Sequence, residues 1–280
     1  MLNIPTFHQY NGETKIALMD NSAVAFMEQM ERNGISAKEL LRGYDAVFIP
    51  RWVIEEVSDS SYRSEYINSL IDNGFPIYSI AEESYSELAN GEEGNLYRIV
   101  YAAVSTLGAL RSYMRRYVQK EDTIDMSAYS DWISEMYRNW PLSDTNTDTG
   151  RTKKKNAGEI SLTILAEVFS WYYPDTELIT VYTQDRDAFD YQMSAHRQLK
   201  EVFRERTSVD VSYKSNDFLL YQMYRNGTIT REKINDVRKD ERVVTYTKRR
   251  PDQAVALASK KLNNRQFIDL LEDESVQIIF

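Results

Sequence analysis

The chain has 280 residues, 42% of them hydrophobic, which is enough for a sizeable core in one large domain or in a domain with a substantial insertion. Its net charge of −9 excludes a general basic coat for nucleic acid but leaves local basic clusters. The absence of cysteine excludes disulfides, cysteine-ligated zinc and thiol nucleophiles. Because there is also no membrane-length apolar run and no signal-like N-terminus, we expect a cytoplasmic protein with no membrane partner.

The first half of the chain alternates short apolar runs with helical patterns. The predicted elements are a strand over residues 15–19, a helix over 23–32, a strand over 46–49, a helix around 52–57 and a strand over 75–80. Residues 94–140 carry apolar side chains mostly at three- and four-residue steps, which predicts an almost wholly helical stretch. The polar segment 144–156 then reads as an exposed loop.

The second half continues the alternation and ends in a tail. The predicted elements are a helix over 160–169, a strand over 178–183, a further helix, a short strand over 207–211 and a helix over 217–223 that stops at 226–227. The tail is predicted to hold helices over 253–262 and 265–272. Its apolar end, 276–280, can pair with a sheet edge or with a partner chain. This order predicts an α/β fold with a parallel sheet flanked by helices.

Four acidic residues stand where this order can bring them together, namely Asp20, Glu56, Glu159 and Asp185. Asp20 and Asp185 each follow an apolar run that reads as a buried strand. Ligands in open α/β sheets bind beyond the carboxyl ends of the strands, where both residues would lie. Carboxylates gathered there repel one another unless a cation is present, and Mg²⁺ or Mn²⁺ is the natural counter-ion. The pattern therefore indicates a metal-dependent hydrolase.

Each acidic residue also has a simpler interpretation. Asp20 can cap the following helix, although Asn21 and Ser22 can do so as well. Glu159 lies near a predicted helix start, where any carboxylate interacts favourably with the helix dipole. The inference of a metal site therefore rests on the four acidic residues together and not on any one of them.

Two of the acidic residues have acidic neighbours that compete for the same role. Glu55 precedes Glu56, and either side chain can simply face solvent. Asp187 follows Asp185 and can be a first-turn helix residue instead. The sequence alone leaves both choices open.

A basic cluster precedes the third acidic residue. Arg151, Lys153, Lys154 and Lys155 run almost directly into Gly158 and Glu159, so they would flank the acidic site. We therefore expect these four residues, together with Arg186, to bind substrate. The alternative is a solvated surface patch.

Taken together, these motifs resemble those of PIN-domain nucleases, a family that includes the ribonuclease toxins of many bacterial toxin–antitoxin pairs. The matching segments are Leu18-Met19-Asp20-Asn21-Ser22, Ile49-Pro50 with Val53-Ile54-Glu55-Glu56-Val57, Ala157-Gly158-Glu159-Ile160 and Thr183-Gln184-Asp185-Arg186-Asp187. A later helix, Asn216-Asp217-Phe218-Leu219-Leu220 with Gly227, resembles the closing helix of the family. The resemblance covers about residues 14–58 and 156–227.

The resemblance implies a fold, an activity and a set of partners. It implies a PIN-like domain over residues 1–227. The chain departs from the family by a helical insertion at about 94–155 and by a C-terminal extension over 228–280 that packs on the domain or mediates contacts. The resemblance also implies hydrolysis of RNA at an Mg²⁺ or Mn²⁺ site. A protein inhibitor and a homodimer are the further partners that we consider.

Carried over by position, the metal-binding and catalytic residues would be Asp20, Glu56, Glu159 and Asp185. The side chains that orient them by hydrogen bonding would be Asn21, Ser22, Thr183 and Asp187. Two other functions stay open: a PIN-like module that binds nucleic acid or protein without catalysis, and an Mg²⁺ hydrolase with a small substrate.

Overall fold

The protein is represented by a computed structural model that describes residues 2–120, 129–145, 152–238, 241–250 and 254–279. Its first elements are β1 Lys15–Met19, α1 Asn21–Arg32, β2 Ala46–Pro50, α2 Arg51–Val57, α3 Ser61–Asp72, β3 Ile77–Ile80, α4 Tyr85–Leu88, α5 Glu93–Ala103, α6 Gly108–Lys120, α7 Tyr129–Arg138, β4 Ser143–Thr145 and β5 Thr152–Lys154. The later elements are α8 Ala157–Tyr172, β6 Leu178–Tyr182, α9 Arg186–Val202, β7 Val211–Lys214, α10 Asn216–Arg225, α11 Arg231–Val237, β8 Arg242–Arg249, β9 Val255–Leu262, α12 Asn264–Glu272 and β10 Val276–Ile278.

The core is built around a five-stranded parallel sheet in the order β3-β2-β1-β6-β7. Its central strands are buried on both faces, since every residue of β2 and all but the first residue of β1 are buried. Parallel sheets covered by helices have this near-continuous apolar sequence. The predicted α/β class is therefore confirmed, and the arrangement is consistent with a PIN-like fold.

Helix α8 crosses the core and returns the chain to the sheet. All but two of its sixteen residues are buried, and it contacts α2, α5 and α9 as well as β1, β2 and β6. Because α8 leads into β6 at the amino end of that strand, the N-terminus of α8 lies at the opposite edge of the sheet, where the strands have their carboxyl ends. This direction brings Glu159, the third residue of α8, to the same edge as Asp20.

Three sequence predictions about individual elements are wrong. The residues predicted as a helix over 253–262 form strand β9 from Val255 onward, while residue 253 lies outside the described residues. Eight registered pairs with β8 determine this strand, so a non-local ladder overrides a sequence of helix-forming alanine, leucine and lysine.

The other two wrong predictions concern short strands. The strand expected over 207–211 is β7 at Val211–Lys214, because the Val209 N–H is bonded to the Ser170 carbonyl of α8 (2.9 Å) and not to the sheet. The loop expected over 144–156 includes a small antiparallel ribbon of β4 and β5, whose polar residues give no apolar alternation to reveal it.

A second, smaller sheet is formed within residues 242–278. Strands β10, β8 and β9 are antiparallel in that order, and the end that was expected to find a sheet edge or a partner pairs as β10 with β8. The second predicted tail helix is present as α12, which begins with a capping box between Asn263 and Gln266. Three elements of the extension contact the rest of the protein: α11 contacts α1, and both α12 and β10 contact α10. In the described part of the chain, no helix is both long enough and apolar enough to span a bilayer.

Candidate functional site

Acidic side chains converge at the carboxyl edge of the parallel sheet. Asp20 follows β1 directly, and Asp185 caps α9 three residues after the end of β6, the neighbour of β1. Glu56 lies on α2, which follows β2 on the other side of β1. The chain enters α8, which carries Glu159, through Asn156, whose φ of 61° is a left-handed conformation that asparagine tolerates.

Asp20 is buried and held by hydrogen bonds. Its Oδ2 accepts from Ser22 Oγ (2.6 Å) and Thr183 Oγ1 (3.0 Å), and its Oδ1 accepts from the Asn21 N–H (2.7 Å). Asp20 is therefore the N-cap of α1, so the simpler interpretation of this residue is also met. Among the described residues, Oδ1 has that one hydrogen bond, and its second lone pair is left available.

Gly158 marks the centre of the site. A methyl group placed on its Cα would lie 3.6 Å from Glu56 Oε1, 3.9 Å from Asp20 Oδ1 and 3.3 Å from Val53 Cγ2. Two carboxylate oxygens from different elements thus lie within 4 Å of one point above Gly158. The glycine keeps open the space that the two oxygens share.

Burial raises the pKa values of three of these carboxyl groups, and repulsion from neighbouring carboxylates adds to the rise in two of them. Burial, followed by the charges of Asp20, Asp185 and Glu56, raises the pKa of Glu159 to about 8. Burial and then the charge of Asp20 raise the pKa of Glu56, and burial raises that of Asp20 against its hydrogen bonds. A cation at this point would relieve the same repulsion.

The carboxylates of this site are oxygen ligands of the kind that Mg²⁺ or Mn²⁺ prefers. Among the residues that the structure describes, no three His, Asp or Glu side chains are already arranged as ligands of one metal ion. Mg²⁺ keeps several waters and often takes only one or two carboxylates directly. The pair Asp20 Oδ1 and Glu56 Oε1, with Glu159 nearby, fits such a hydrated ion in chemical type and charge.

Polar neighbours fix the orientation of the carboxylates. Asn21 Nδ2 donates to Glu56 Oε2 (3.3 Å), and Arg63 on α3 donates to Asn21 Oδ1. Thr183 Oγ1, besides bonding Asp20, accepts from the Asp185 N–H (3.0 Å). Three of the four residues expected to orient the site by hydrogen bonding, Asn21, Ser22 and Thr183, therefore contact its carboxylates through their side chains.

The structure distinguishes the competing acidic neighbours by position. Glu56 faces Asp20, whereas the exposed Glu55 accepts from Tyr137 Oη (2.5 Å). Asp185 is the half-buried N-cap of α9, whereas Asp187 is exposed and donates its backbone N–H to Asp185 Oδ1 (2.8 Å). Asp187 therefore contributes through its backbone, and the expected contribution from its side chain has no support among these contacts.

Two of the expected substrate-binding lysines line a pocket next to Glu56. This pocket has a volume of about 300 Å³, and its walls include Trp52, Glu56, Lys153 and Lys154. Lys153 forms an ion pair with Asp59 (3.3 Å), and its charge opposes the rise in the pKa of Glu56. Lys154 Nζ lies 3.2 Å from the ring centre of Tyr137, and burial lowers the pKa of Lys154.

The other basic residues are placed differently. Lys155 is exposed beyond the pocket, and its carbonyl accepts from Trp140 Nε1 (2.9 Å). Arg186 is exposed next to Asp185 and donates to Ser259 Oγ (3.4 Å). Arg151 lies outside the described residues. The structure thus places Lys153, Lys154 and Arg186 beside the acidic site, while their binding role stays a prediction.

Sequence reasoning missed Glu82, which links the two helices of the site. Its Oε1 accepts from the Trp52 N–H of α2 (3.0 Å) and from Ser161 Oγ of α8 (2.6 Å). The side chain is fully buried, its Oε2 has no partner among the described residues, and burial raises its pKa to about 8. Glu82 lies in a single turn of 3₁₀ helix, and no periodic pattern marks such a residue as functional.

Replacing Glu82 by glutamine is expected to flatten the pH dependence of stability. A carboxyl group with a raised folded pKa binds more protons when folded, so its contribution to stability falls as pH rises from about 4.5 to about 8. Thermal unfolding of both proteins between pH 5.5 and 9 in EDTA should show a smaller loss of Tm in Glu82→Gln. Glu83→Gln, a change at a partly exposed neighbour paired with Arg51, should follow the wild type. Parallel curves for the wild type and Glu82→Gln would contradict this assignment.

Replacing Gly158 by alanine should occupy the space shared by Asp20 and Glu56 without unfolding α8. The new methyl group would lie 3.3 Å from Val53 Cγ2, so the Val53 side chain must shift by a few tenths of an ångström, and alanine favours a helix by up to about 1 kcal/mol over glycine. We expect an unchanged or higher Tm in EDTA and a weaker rise of Tm with Mn²⁺. Gly94→Ala, at a helical glycine with open space around it, is the matched control. Equal Mn²⁺ responses in the two variants would argue against a cation above Gly158.

Comparison with known proteins identifies no relative: no protein-family model, no curated protein and no solved structure matches the chain. The fold and the site therefore carry the functional argument.

Proposed function

We propose that this protein is an Mg²⁺- or Mn²⁺-dependent nuclease that hydrolyses phosphodiester bonds of RNA. The observation that carries the proposal is the approach of Asp20 Oδ1 and Glu56 Oε1 to within 4 Å of one point above Gly158. Glu159, whose pKa is raised to about 8 by burial and by the charges of Asp20, Asp185 and Glu56, lies close enough to interact electrostatically with all three. Carboxylates that are buried close together raise one another's pKa and cost free energy when they ionise, and a bound cation would offset that cost.

In this proposal Asp20 Oδ1 and Glu56 Oε1 would hold the ion, and Glu159 and Asp185 would complete its surroundings. The bound ion would lower the pKa of a water, polarise the phosphoryl group and neutralise charge in the transition state. Ser22 and Thr183 hold the other oxygen of Asp20 in place. Glu159 must release its proton to take part, so the site is expected to work best at neutral to alkaline pH.

The substrate is proposed from charge and from the resemblance to PIN-domain nucleases. Lys153 and Lys154 line the pocket beside Glu56, where they can bind phosphates that flank the scissile bond. A cytoplasmic setting, an inhibitory protein partner and a homodimer belong to the same proposal and rest on the sequence.

The proposal is tested by incubating the purified protein with mixed cellular RNA in Mn²⁺, Mg²⁺ or EDTA. Cleavage that requires the metal and stops with EDTA is the expected result. No cleavage under any condition, together with no rise of Tm on adding Mn²⁺, would overturn the proposal. A rise of Tm with Mn²⁺ but no cleavage of RNA would overturn the substrate while keeping the metal site.

One observation favours a non-catalytic binding module as the alternative. Asp20 caps α1 and bonds Thr183, so this residue has a structural task that would keep it in place without a metal. The Mn²⁺ titration also tests this alternative, because a Tm that does not rise with Mn²⁺ would leave Asp20 with its task in the cap of α1 alone.

A further inference from the structure

The hairpin formed by β8 and β9 differs in charge from the rest of the molecule. Between residues 242 and 262 the chain has six lysines or arginines and one acidic residue, in a protein whose net charge is −9. Strand β9 is an edge of the small sheet, and its Val255 and Leu257 side chains are 65% and 69% exposed. An exposed basic hairpin on an acidic protein indicates a polyanionic partner.

The base of the hairpin lies at the acidic site. Arg186, which follows Asp185, donates to Ser259 Oγ on β9 (3.4 Å), and Arg242 at the start of β8 donates to Gln184 Oε1 (3.3 Å). Each strand has eight residues, so the hairpin extends roughly 26 Å from this base. A strand of RNA that leaves the site past Arg186 would therefore run onto the hairpin.

The two faces of the hairpin have different tasks. Val244 and Tyr246 are buried on the inner face, which the extension covers, and Lys248 and Lys260 lie at its margins. The outer face is defined by the alternate residues, among them Thr245 and Ser259, whose hydroxyl groups are 3.2 Å apart. This outer face also carries Arg249 and Lys261, and Lys261 pairs with Glu241 only at the surface (3.5 Å).

A groove continues the outer face beyond the middle of the hairpin. It has a volume of about 720 Å³, and its walls include Thr247 and Arg249 of β8, Gln277 of β10, and Tyr221 and Arg225 of α10. Its two arginines exceed its one acidic residue, Glu274, and together with the tyrosine and the polar side chains they suit phosphates and bases better than they suit an apolar partner.

We propose that the outer face of the β8–β9 hairpin and this groove bind a single-stranded segment of the RNA substrate outside the acidic site. That the strand continues into the site rests on the proposed nuclease function. Arg249, Lys261 and Arg225 contact phosphates, while Leu257 and Val255 contact sugars and bases. The contacts follow the backbone, so binding depends on length and salt more than on base sequence.

The test compares the two faces of the same strands. We would measure binding of a fluorescent RNA in EDTA between about 50 and 200 mM salt. The RNA has about 16 nucleotides, the upper end of common single-strand site sizes. Arg249→Ala/Lys261→Ala removes two positive charges from the outer face, and Lys248→Ala/Lys260→Ala removes two from the inner face. We expect about tenfold weaker binding for the outer pair, with a salt slope lower by about 1.4, and a near-normal Kd for the inner pair.

Cleavage assays in Mn²⁺ separate this proposal from the nuclease itself. The outer-face variant should cut a four-nucleotide RNA as the wild type does and cut the 16-nucleotide RNA less well.

If both variants bind and cut the long RNA like the wild type, or if both lose binding equally, the surface is assigned wrongly. Failure of the wild type to bind RNA in EDTA also overturns it. A wild type that cuts no RNA, yet binds it through the outer face, would overturn the nuclease alone. A shift from dimer to monomer in the outer-face variant, without loss of RNA binding, would assign the face to a second copy instead.

Discussion

Replacing Asp20 by asparagine is expected to reduce metal-dependent RNA cleavage by more than about 100-fold while the protein stays folded. Removing a residue that only hydrogen-bonds a metal ligand already lowers metal affinity or activity by about 10–100-fold. Asp20 is proposed to hold the ion itself, so the loss should be larger. Asparagine is as good an N-cap as aspartate, so the cap of α1 is retained. Single-turnover cleavage of a defined RNA in Mn²⁺, with circular dichroism and Tm in EDTA, measures both properties.

Asp187→Asn is the matched control for that change. It removes the same charge two residues from Asp185, but the Asp187 side chain is exposed and contributes to the site through its backbone. We expect activity within a few-fold of the wild type. Activity retained by Asp20→Asn, or lost equally in both variants, would contradict the assignment of Asp20 as a metal ligand.

The sequence predicted those parts of the site that depend on local patterns. Apolar runs before Asp20 and Asp185 indicate buried strands, and parallel strands have their carboxyl ends at one edge of a sheet. Both acidic residues lie at that edge in the structure. The resemblance, and no local pattern, indicated Glu56 rather than Glu55. Neighbouring residues on a helix point in directions about 100° apart, and in the structure the packing of α2 turns Glu56 towards Asp20.

What the sequence missed depends on contacts between distant segments. Strand β9 exists through its pairing with β8, although its own residues favour a helix. Glu82 links α2, which precedes it in the chain, with α8, which follows it, because both helices donate hydrogen bonds to its carboxylate. Neither relation appears in a window of ten or fifteen residues, so periodicity cannot reveal it.

Replacing Glu159 by glutamine is expected to stabilise the metal-free protein at alkaline pH and to abolish most of its response to Mn²⁺. Burial and the charges of Asp20, Asp185 and Glu56 raise the pKa of Glu159 to about 8, well above its unfolded value. The folded protein therefore binds the extra proton between about 4.5 and 8, and the stability of the wild type falls as pH rises across that range. Glutamine cannot ionise, so in EDTA at pH 9 the variant should have the higher Tm, and at pH 5.5 the two should nearly agree.

Addition of Mn²⁺ should then favour the wild type. Saturation at 100 times the Kd adds about 2.7 kcal/mol to the free energy of unfolding, or roughly 5–10 °C in Tm for a protein of this size. The gain should be smaller at pH 6, where the ion must displace the proton of Glu159, and small at either pH in Glu159→Gln.

Glu82→Gln supplies the discriminating comparison, because it also removes a carboxyl group with a raised pKa but lies outside the acidic pocket. It should flatten the pH profile in EDTA and keep the full Mn²⁺ response. If both variants respond to Mn²⁺ like the wild type, Glu159 is a buried acid of the fold and the ion binds elsewhere.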